Sequence, residues 1–160
     1  MHKKTICVDL CKIKNEYSYA IIEKCSESDC SLRIDNEIED KIVILKGEKI
    51  VQSYRICDCL IFIIKEETLI IAIVELKRKS INVSVIREKF ENTIDLLNDI
   101  VNNLNLRRPK KFFPILLYED MRGSEFVMLK NLKLHFACKT HSLIIENCGT
   151  NLLKIMGKYF

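Results

Sequence analysis

Ile56-Cys57-Asp58-Cys59-Leu60-Ile61-Phe62-Ile63-Ile64, then Lys65-Glu66-Glu67-Thr68, then Leu69-Ile70-Ile71-Ala72-Ile73-Val74 and Glu75-Leu76-Lys77 run on without a break, and their reading decides the fold. Apart from Asp58, each apolar run is hydrophobic at every successive position. Neither leaves a polar face for water, so both are expected to be strands central in a sheet covered on both sides. The short polar segment between them makes a hairpin. A turn centred on Glu66-Glu67 sets Ile64 against Leu69 and, followed along the ladder, Asp58 directly opposite Glu75. Opposed residues share a face with Cβ atoms roughly 5 Å apart. Lys77, two positions beyond Glu75, projects from that same face.

Before the hairpin, Lys41-Ile42-Val43-Ile44-Leu45-Lys46 is a β-branched run closed by Gly47-Glu48, a further strand. Residues 13–26 carry Tyr17, Ala20, Ile21 and Lys24 at helical offsets and predict a short helix, with a loop over the polar run 27–40. After the hairpin, Val83, Ile86, Phe90, Ile94, Leu97, Val101 and Leu104 recur at steps of three and four, an amphipathic helix. Residues 112–118 read as a strand, parallel to its neighbour if that helix is a crossover, with Pro114 near its start or at an edge. Segments 133–138 and 142–146 predict a terminal hairpin, and 151–156 a last helical turn or two. The expected fold class is α/β, an α-β-β-β-α-β core with a mixed central sheet flanked by helices, plus a C-terminal β-hairpin and a short helix. One domain is expected over 1–160, its core at about 15–118 and its extension at about 119–160.

The composition agrees with a single packed domain: 48% of residues are hydrophobic and 30% charged, and the mean hydropathy is +0.04. The apolar blocks never reach the ~18 residues a membrane span needs. Met1-His2-Lys3-Lys4 is followed by Asp9, Lys12, Lys14 and Glu16 rather than by an apolar signal core. With no export signal, the eight cysteines are expected to be reduced thiols and the protein cytoplasmic, with no membrane partner. The net charge of +4 is unevenly spread, since residues 106–160 hold ten basic and four acidic residues. Such a half would suit a polyanion, although charge alone fits solvated surface better.

Asp58 and Glu75 set a chemical problem, because ionised carboxylates are rarely buried without a partner. At an effective dielectric of 20, two of them about 4 Å apart repel by roughly 4 kcal/mol, which one lysine offsets only in part. A divalent cation offsets more. Two carboxylates and the Leu76 carbonyl are hard oxygen ligands that suit Mg²⁺ or Mn²⁺. A metal so held can polarise a phosphate and activate water while a nearby Lys77 orients the water or balances charge, which points to phosphodiester hydrolysis. The alternative is a buried salt bridge of Asp58 and Glu75 with Lys77, helped by Arg55 or Arg78.

Asp58, sixteen intervening residues and then Glu75-Leu76-Lys77, inside an α-β-β-β-α-β order, resembles the PD-(D/E)XK nuclease superfamily, which includes restriction endonucleases, junction resolvases and prokaryotic defence nucleases. The resemblance covers about residues 15–118, with Cys57 standing where the name-giving pattern has proline. It implies that Asp58 and Glu75 are metal ligands, Lys77 the catalytic lysine and the helix from Val83 the one beside the site. In that helix Arg87, Glu91 and Asn92 are candidates for an auxiliary role. A further acid commonly comes from the first helix, where both Glu16 and Glu23 qualify.

Cys7, Cys11, Cys25 and Cys30 raise the question of zinc, as do His135, Cys138 and His141 with Cys148 further on, but buried thiols and turn decoration account for them more simply. Cys57 and Cys59 are expected to face away from Asp58, into the opposite side of the sheet. Arg78 and Lys79 beside the site, and Arg107, Arg108, Lys110 and Lys111, are candidates to track a phosphate backbone. There is no Walker-type glycine loop, nucleophile elbow or His-Glu-x-x-His. The function expected is a Mg²⁺- or Mn²⁺-dependent endonuclease acting on DNA, with RNA also open, working as a homodimer or with a partner subunit and without a small-molecule cofactor. Restriction or antiviral defence follows from the resemblance alone. The alternative is an inactive nuclease-fold subunit that binds nucleic acid or scaffolds a protein.

Overall fold

The computed structural model describes residues 2–35 and 41–158, the side chains of 2–7 and 158 apart. Its centre is the expected hairpin. Strands β5 (Cys59–Lys65) and β6 (Thr68–Lys77) pair antiparallel with Ile64 against Leu69 and Cys59 against Val74, one step short of Asp58 and Glu75. The two-residue turn puts Glu66 and Glu67 at φ of 51° and 66°. That is the conformation a tight hairpin needs and one that glutamate adopts at a cost.

Strand β4 (Ile42–Lys46) lies antiparallel against β5, and β1 (Ile21–Ile22) against β4. On the other side, helix α3 (Val83–Asn103) carries the chain back so that β7 (Lys111–Tyr118) runs parallel to β6, and β10 (Ile144–Asn147) runs parallel to β7. The result is a mixed six-stranded sheet flanked by helices. Helix α3 begins where Asn82 accepts a hydrogen bond from the Val85 N–H, a side-chain cap on an orphan donor. Its stripe of Ile86, Phe90, Ile94, Leu97 and Ile100 packs on Leu60, Phe62, Leu69, Ile71 and Ile73, with Leu10 and Ile13 of α1 (His2–Glu16). The opposite face buries Ile61, Ile63, Ile70 and Val74 under Leu152, Ile155 and Met156 of α5 (Leu152–Lys158). Pro114 sits mid-strand opposite Ile73. The Glu119 N–H donates to the Lys77 carbonyl, so odd residues of β7 bond β6 and the missing donor of Pro114 faces the β10 side. The β10 ladder starts only at Ile115, so the sheet loses no bond there.

Several expectations are corrected. The helix predicted at 13–26 lies earlier, as α1. After it come a 3-10 turn (Ser18–Ala20), β1 and then β2 (Cys25–Glu27), because Ile21 and Ile22 find a better use pairing with Leu45 and Ile44. The expected loop holds β3 (Cys30–Leu32), paired with β2, while 36–40 lies outside the described residues. The terminal hairpin is β8 (Lys133–Phe136) with β9 (Lys139–Ser142), and 144–147 joins the main sheet instead. Helical segments α2 (Gly47–Ile50) and α4 (Gly123–Lys130) were not anticipated.

The expectation of reduced thiols is also overturned for four cysteines: Cys25 is bonded to Cys59, and Cys30 to Cys148. Each bond ties the β2–β3 hairpin, too small to hold a core of its own, to the main sheet. Cys25 and Cys30 are thereby unable to serve the zinc set considered with Cys7 and Cys11, and Cys7 lies outside the described side chains. His135 stands opposite Thr140 and His141 opposite Leu134, so the two histidines point to opposite faces of their hairpin. Among the described residues no helix is long and apolar enough to cross a membrane.

Candidate active site

Asp58 is set by three neighbouring hydrogen bonds. The Leu76 N–H donates to its carboxylate at 2.7 Å, the Gly47 N–H donates to its backbone carbonyl at 2.9 Å, and the Cys57 N–H donates to Thr93 Oγ1 at 2.8 Å. Position 47 has to be glycine, since a Cβ there would run into the Cys57 carbonyl. The chain therefore enters β5 pinned to both α2 and α3. Cys57 is turned toward α3 and not, as expected, to the other face; only Cys59 faces that way, in its disulfide. Burial pushes the Cys57 thiol well up, so it is not a nucleophile.

Glu75 is 0% exposed. Lys89 Nζ of α3 lies 2.5 Å from its Oε2 as an ion pair. Among the described residues, however, neither carboxylate oxygen has a hydrogen-bond partner. Burial first, and then the Glu75 carboxylate, push Asp58 up to about 7, while the Leu76 N–H pulls it down. Asp58 in turn raises Glu27 at the end of β2, a residue brought there by the Cys25–Cys59 bond. Burial opposes the charge of Lys89, yet Glu75, with Asp58 behind it, outweighs that and raises its pKa. Three carboxyl groups in series thus meet the half-buried Lys89 ammonium, with Lys46 acting on Glu27 and Asp58 from the rim.

Asp58, Glu27 and Lys89 open on a cleft of about 770 Å³ whose lining holds more basic than acidic side chains, Lys24, Lys46, Arg55 and Lys77 among them, and buried Glu75 lies behind that lining. Lys77 is half-buried at the end of β6, on the same face as Glu75. No comparison with protein-family models, curated proteins or solved structures found a match to this chain. Among the described residues no three His, Cys, Asp or Glu side chains are grouped to hold a metal ion. The donor set expected from the sequence, Asp58, Glu75 and the Leu76 carbonyl, has only two such side chains. The buried Glu75 carboxylate, with Lys89 against one oxygen and Asp58 beside it, carries more negative charge than one ammonium balances, which a cation fits.

The other expected site residues divide. Arg78 stands at the same end of β6, bonded through Nε to Glu119 at 3.0 Å and paired through Nη1 with Asp29 at 3.4 Å, with exposed Lys79 beside it. Arg87 and Glu91 are exposed on α3 and outside the cleft lining. Asn92 donates to the Arg55 carbonyl at 2.9 Å, steadying the chain before Asp58. Arg107, Arg108, Lys110 and Lys111 lie at the other end of β6, beside Glu67 and Thr68. Of the two acids expected on the first helix, Glu16 ends α1 and Glu23 follows β1, both outside the cleft lining, and Glu27 is inside it. Lys89, Glu27 and Thr93 were missed. Lys89 had a signal, a charge three residues after Ile86 and four before Thr93 on the buried stripe of the helix.

Proposed function

We propose that this chain is a metal-dependent nuclease that hydrolyses phosphodiester bonds in DNA, with Mg²⁺ or Mn²⁺ as cofactor. The observation that carries the reading is the fully buried Glu75 carboxylate, set against the Lys89 ammonium and behind the Asp58 carboxyl that lines an open cleft. Asp58, Glu75 and the Leu76 carbonyl would hold the metal, which when bound supplies charge neutralisation and a coordinated water of lowered pKa. Lys77, on the same face and in the same cleft, orients the attacking water and balances charge developing on the phosphate. Lys89 holds the Glu75 carboxylate, and Thr93 and Gly47 fix the backbone that carries Asp58. Arg78 and Lys79 stand where flanking phosphates would pass. The antiparallel β4-β5-β6 meander, the α3 crossover and parallel β7 support a restriction-endonuclease-like core. A role in restriction or antiviral defence rests on that resemblance. Cutting both strands of a duplex calls for a homodimer or a partner subunit.

One observation favours a second reading. The Lys89–Glu75 ion pair already supplies part of the countercharge a metal would bring, as in an inactive nuclease-fold subunit that binds nucleic acid or scaffolds a protein. Incubating purified protein with supercoiled plasmid, linear duplex, single-stranded DNA and RNA in Mg²⁺, Mn²⁺ or EDTA separates the two. Cleavage that is lost in EDTA and in Asp58→Asn and Lys77→Ala is expected. A folded wild-type protein that cuts none of these substrates and binds no Mn²⁺ in a paramagnetic-resonance titration would leave the scaffold reading.

A further inference from the structure

The end of the sheet remote from Asp58 and Glu75 carries a second feature, one the proposed reaction does not use. The strap 107–110, between α3 and β7, is fixed at both ends. The Arg107 N–H and Nε donate to Asp9 at 3.2 and 2.7 Å, and the Lys110 N–H donates to the Leu69 carbonyl at 2.9 Å. Arg107 also reaches the Glu67 carbonyl. Its guanidinium is thus engaged in holding the strap, and Arg108 and Lys110 stand exposed from a backbone that is already ordered.

Opposite the strap, β9 contributes Lys139 and His141. Phe112 and Phe136 form the floor, their ring centroids 4.5 Å apart, and His141 lies edge-on to Phe112 at 4.9 Å. Between these walls is a cleft of about 300 Å³, lined by five basic side chains and one acidic one, Glu67. Arg107 is balanced by Asp9, but the exposed Arg108, Lys110 and Lys139 repel one another across the cleft, and an anion relieves that repulsion at little ordering cost. Thr68 lines this cleft and Lys77 the one at Asp58, so nine steps along β6 separate the two by roughly 30 Å. They cannot grip the same phosphate.

We propose that the cleft of Arg108, Lys110, Lys111 and Lys139 is a phosphate-binding site separate from the Asp58 cleft. Phosphate reaches such a site either in a nucleic-acid backbone or as a small phosphorylated molecule. The proposal does not depend on the nuclease reading. On that reading, the cleft holds substrate about nine base pairs from the cut, at 3.4 Å per pair.

The test is binding in EDTA, where metal-dependent cleavage is silent, by fluorescence anisotropy of a labelled single strand and of its duplex at low and at physiological salt. Tripolyphosphate serves as competitor and, by calorimetry, as a ligand in its own right. The comparison is with Arg108→Gln/Lys110→Gln/Lys139→Gln, three exposed positions, with melting temperature as the fold control. The triple variant is expected to bind at least about tenfold more weakly, with a salt slope shallower by about two to three. Tripolyphosphate should displace the strand. Binding of tripolyphosphate without either strand supports the site and assigns it to small phosphorylated ligands. Unchanged binding by the folded triple variant, or no binding of any of these probes by the wild type, overturns the proposal. Because no metal is present, neither result speaks to cleavage, and a failed nuclease assay leaves this one intact.

Discussion

Asp9 and Glu75 are both buried acids, 5% and 0% exposed, each with a basic partner, yet the chain treats them differently. Asp9 receives two hydrogen bonds from Arg107, whose own donors are further used on the Glu67 carbonyl. The charge is matched and the pair is architecture. Glu75 has an ammonium against one oxygen, no hydrogen bond to either, and a second carboxyl for a neighbour. What distinguishes a candidate site is therefore not the burial of a charge but demand left unmet around it.

Swapping the two outcomes gives the largest expected effect. Glu75→Gln should lower metal-dependent cleavage by at least about a thousandfold, roughly 4 kcal/mol of barrier. Its urea midpoint should change little, since one member of a repelling pair is removed and Lys89 keeps Asp58 nearby. Arg107→Ala should do the reverse, costing about 3–5 kcal/mol of stability by stranding buried Asp9 and leaving the chemistry of the folded fraction intact. Equal losses of stability in both variants would erase the contrast.

Titration sharpens it next. Asp58 has a folded value of about 7 against an ordinary 3.8. Between those values the folded protein keeps a proton the unfolded chain has released, so stability falls as pH rises from about 4 to 7 and stays low above that. In EDTA, the melting temperature at pH 8 should lie below that at pH 5, the linked term between them being at most about 3 kcal/mol at 1.36 kcal/mol per unit. Asp58→Asn should flatten the dependence, and Mg²⁺ should restore wild-type stability at pH 8. A smaller effect is expected at the support of Asp58. Thr93→Val leaves the Cys57 N–H without its acceptor and should cost about 1–3 kcal/mol by urea unfolding. Smallest is the far turn, where Glu66→Asn with Glu67→Gly should stabilise by about 1 kcal/mol, raising the melting temperature without changing cleavage.

The hairpin register was legible because its turn is short and symmetrical and both runs are apolar throughout, which fixes Ile64 against Leu69 and the ladder as far as Cys59 and Val74. Helix α3 was legible from its period, and with it the parallel β7. What surrounds the acids was not. Lys89 is close to Glu75 only through the way α3 packs across the sheet, and Glu27 reaches Asp58 only because Cys25 is bonded to Cys59, a pairing that spacing does not dictate. Two-residue β1 and three-residue β2 and β3 are too short for a period of two to show, and tertiary pairing decides them. The run 107–111 looked like one phosphate-tracking stretch, but Asp9, nearly a hundred residues away, takes Arg107 for the scaffold.

The Cys30–Cys148 bond joins positions 118 residues apart. Pulled from its two ends, the oxidised chain carries the load through that bond, and everything from β4 to β10, including Asp58 and Glu75, hangs as a closed loop off the line of tension. A protease that nicks the loop once likewise leaves one covalent molecule, until a reductant parts it.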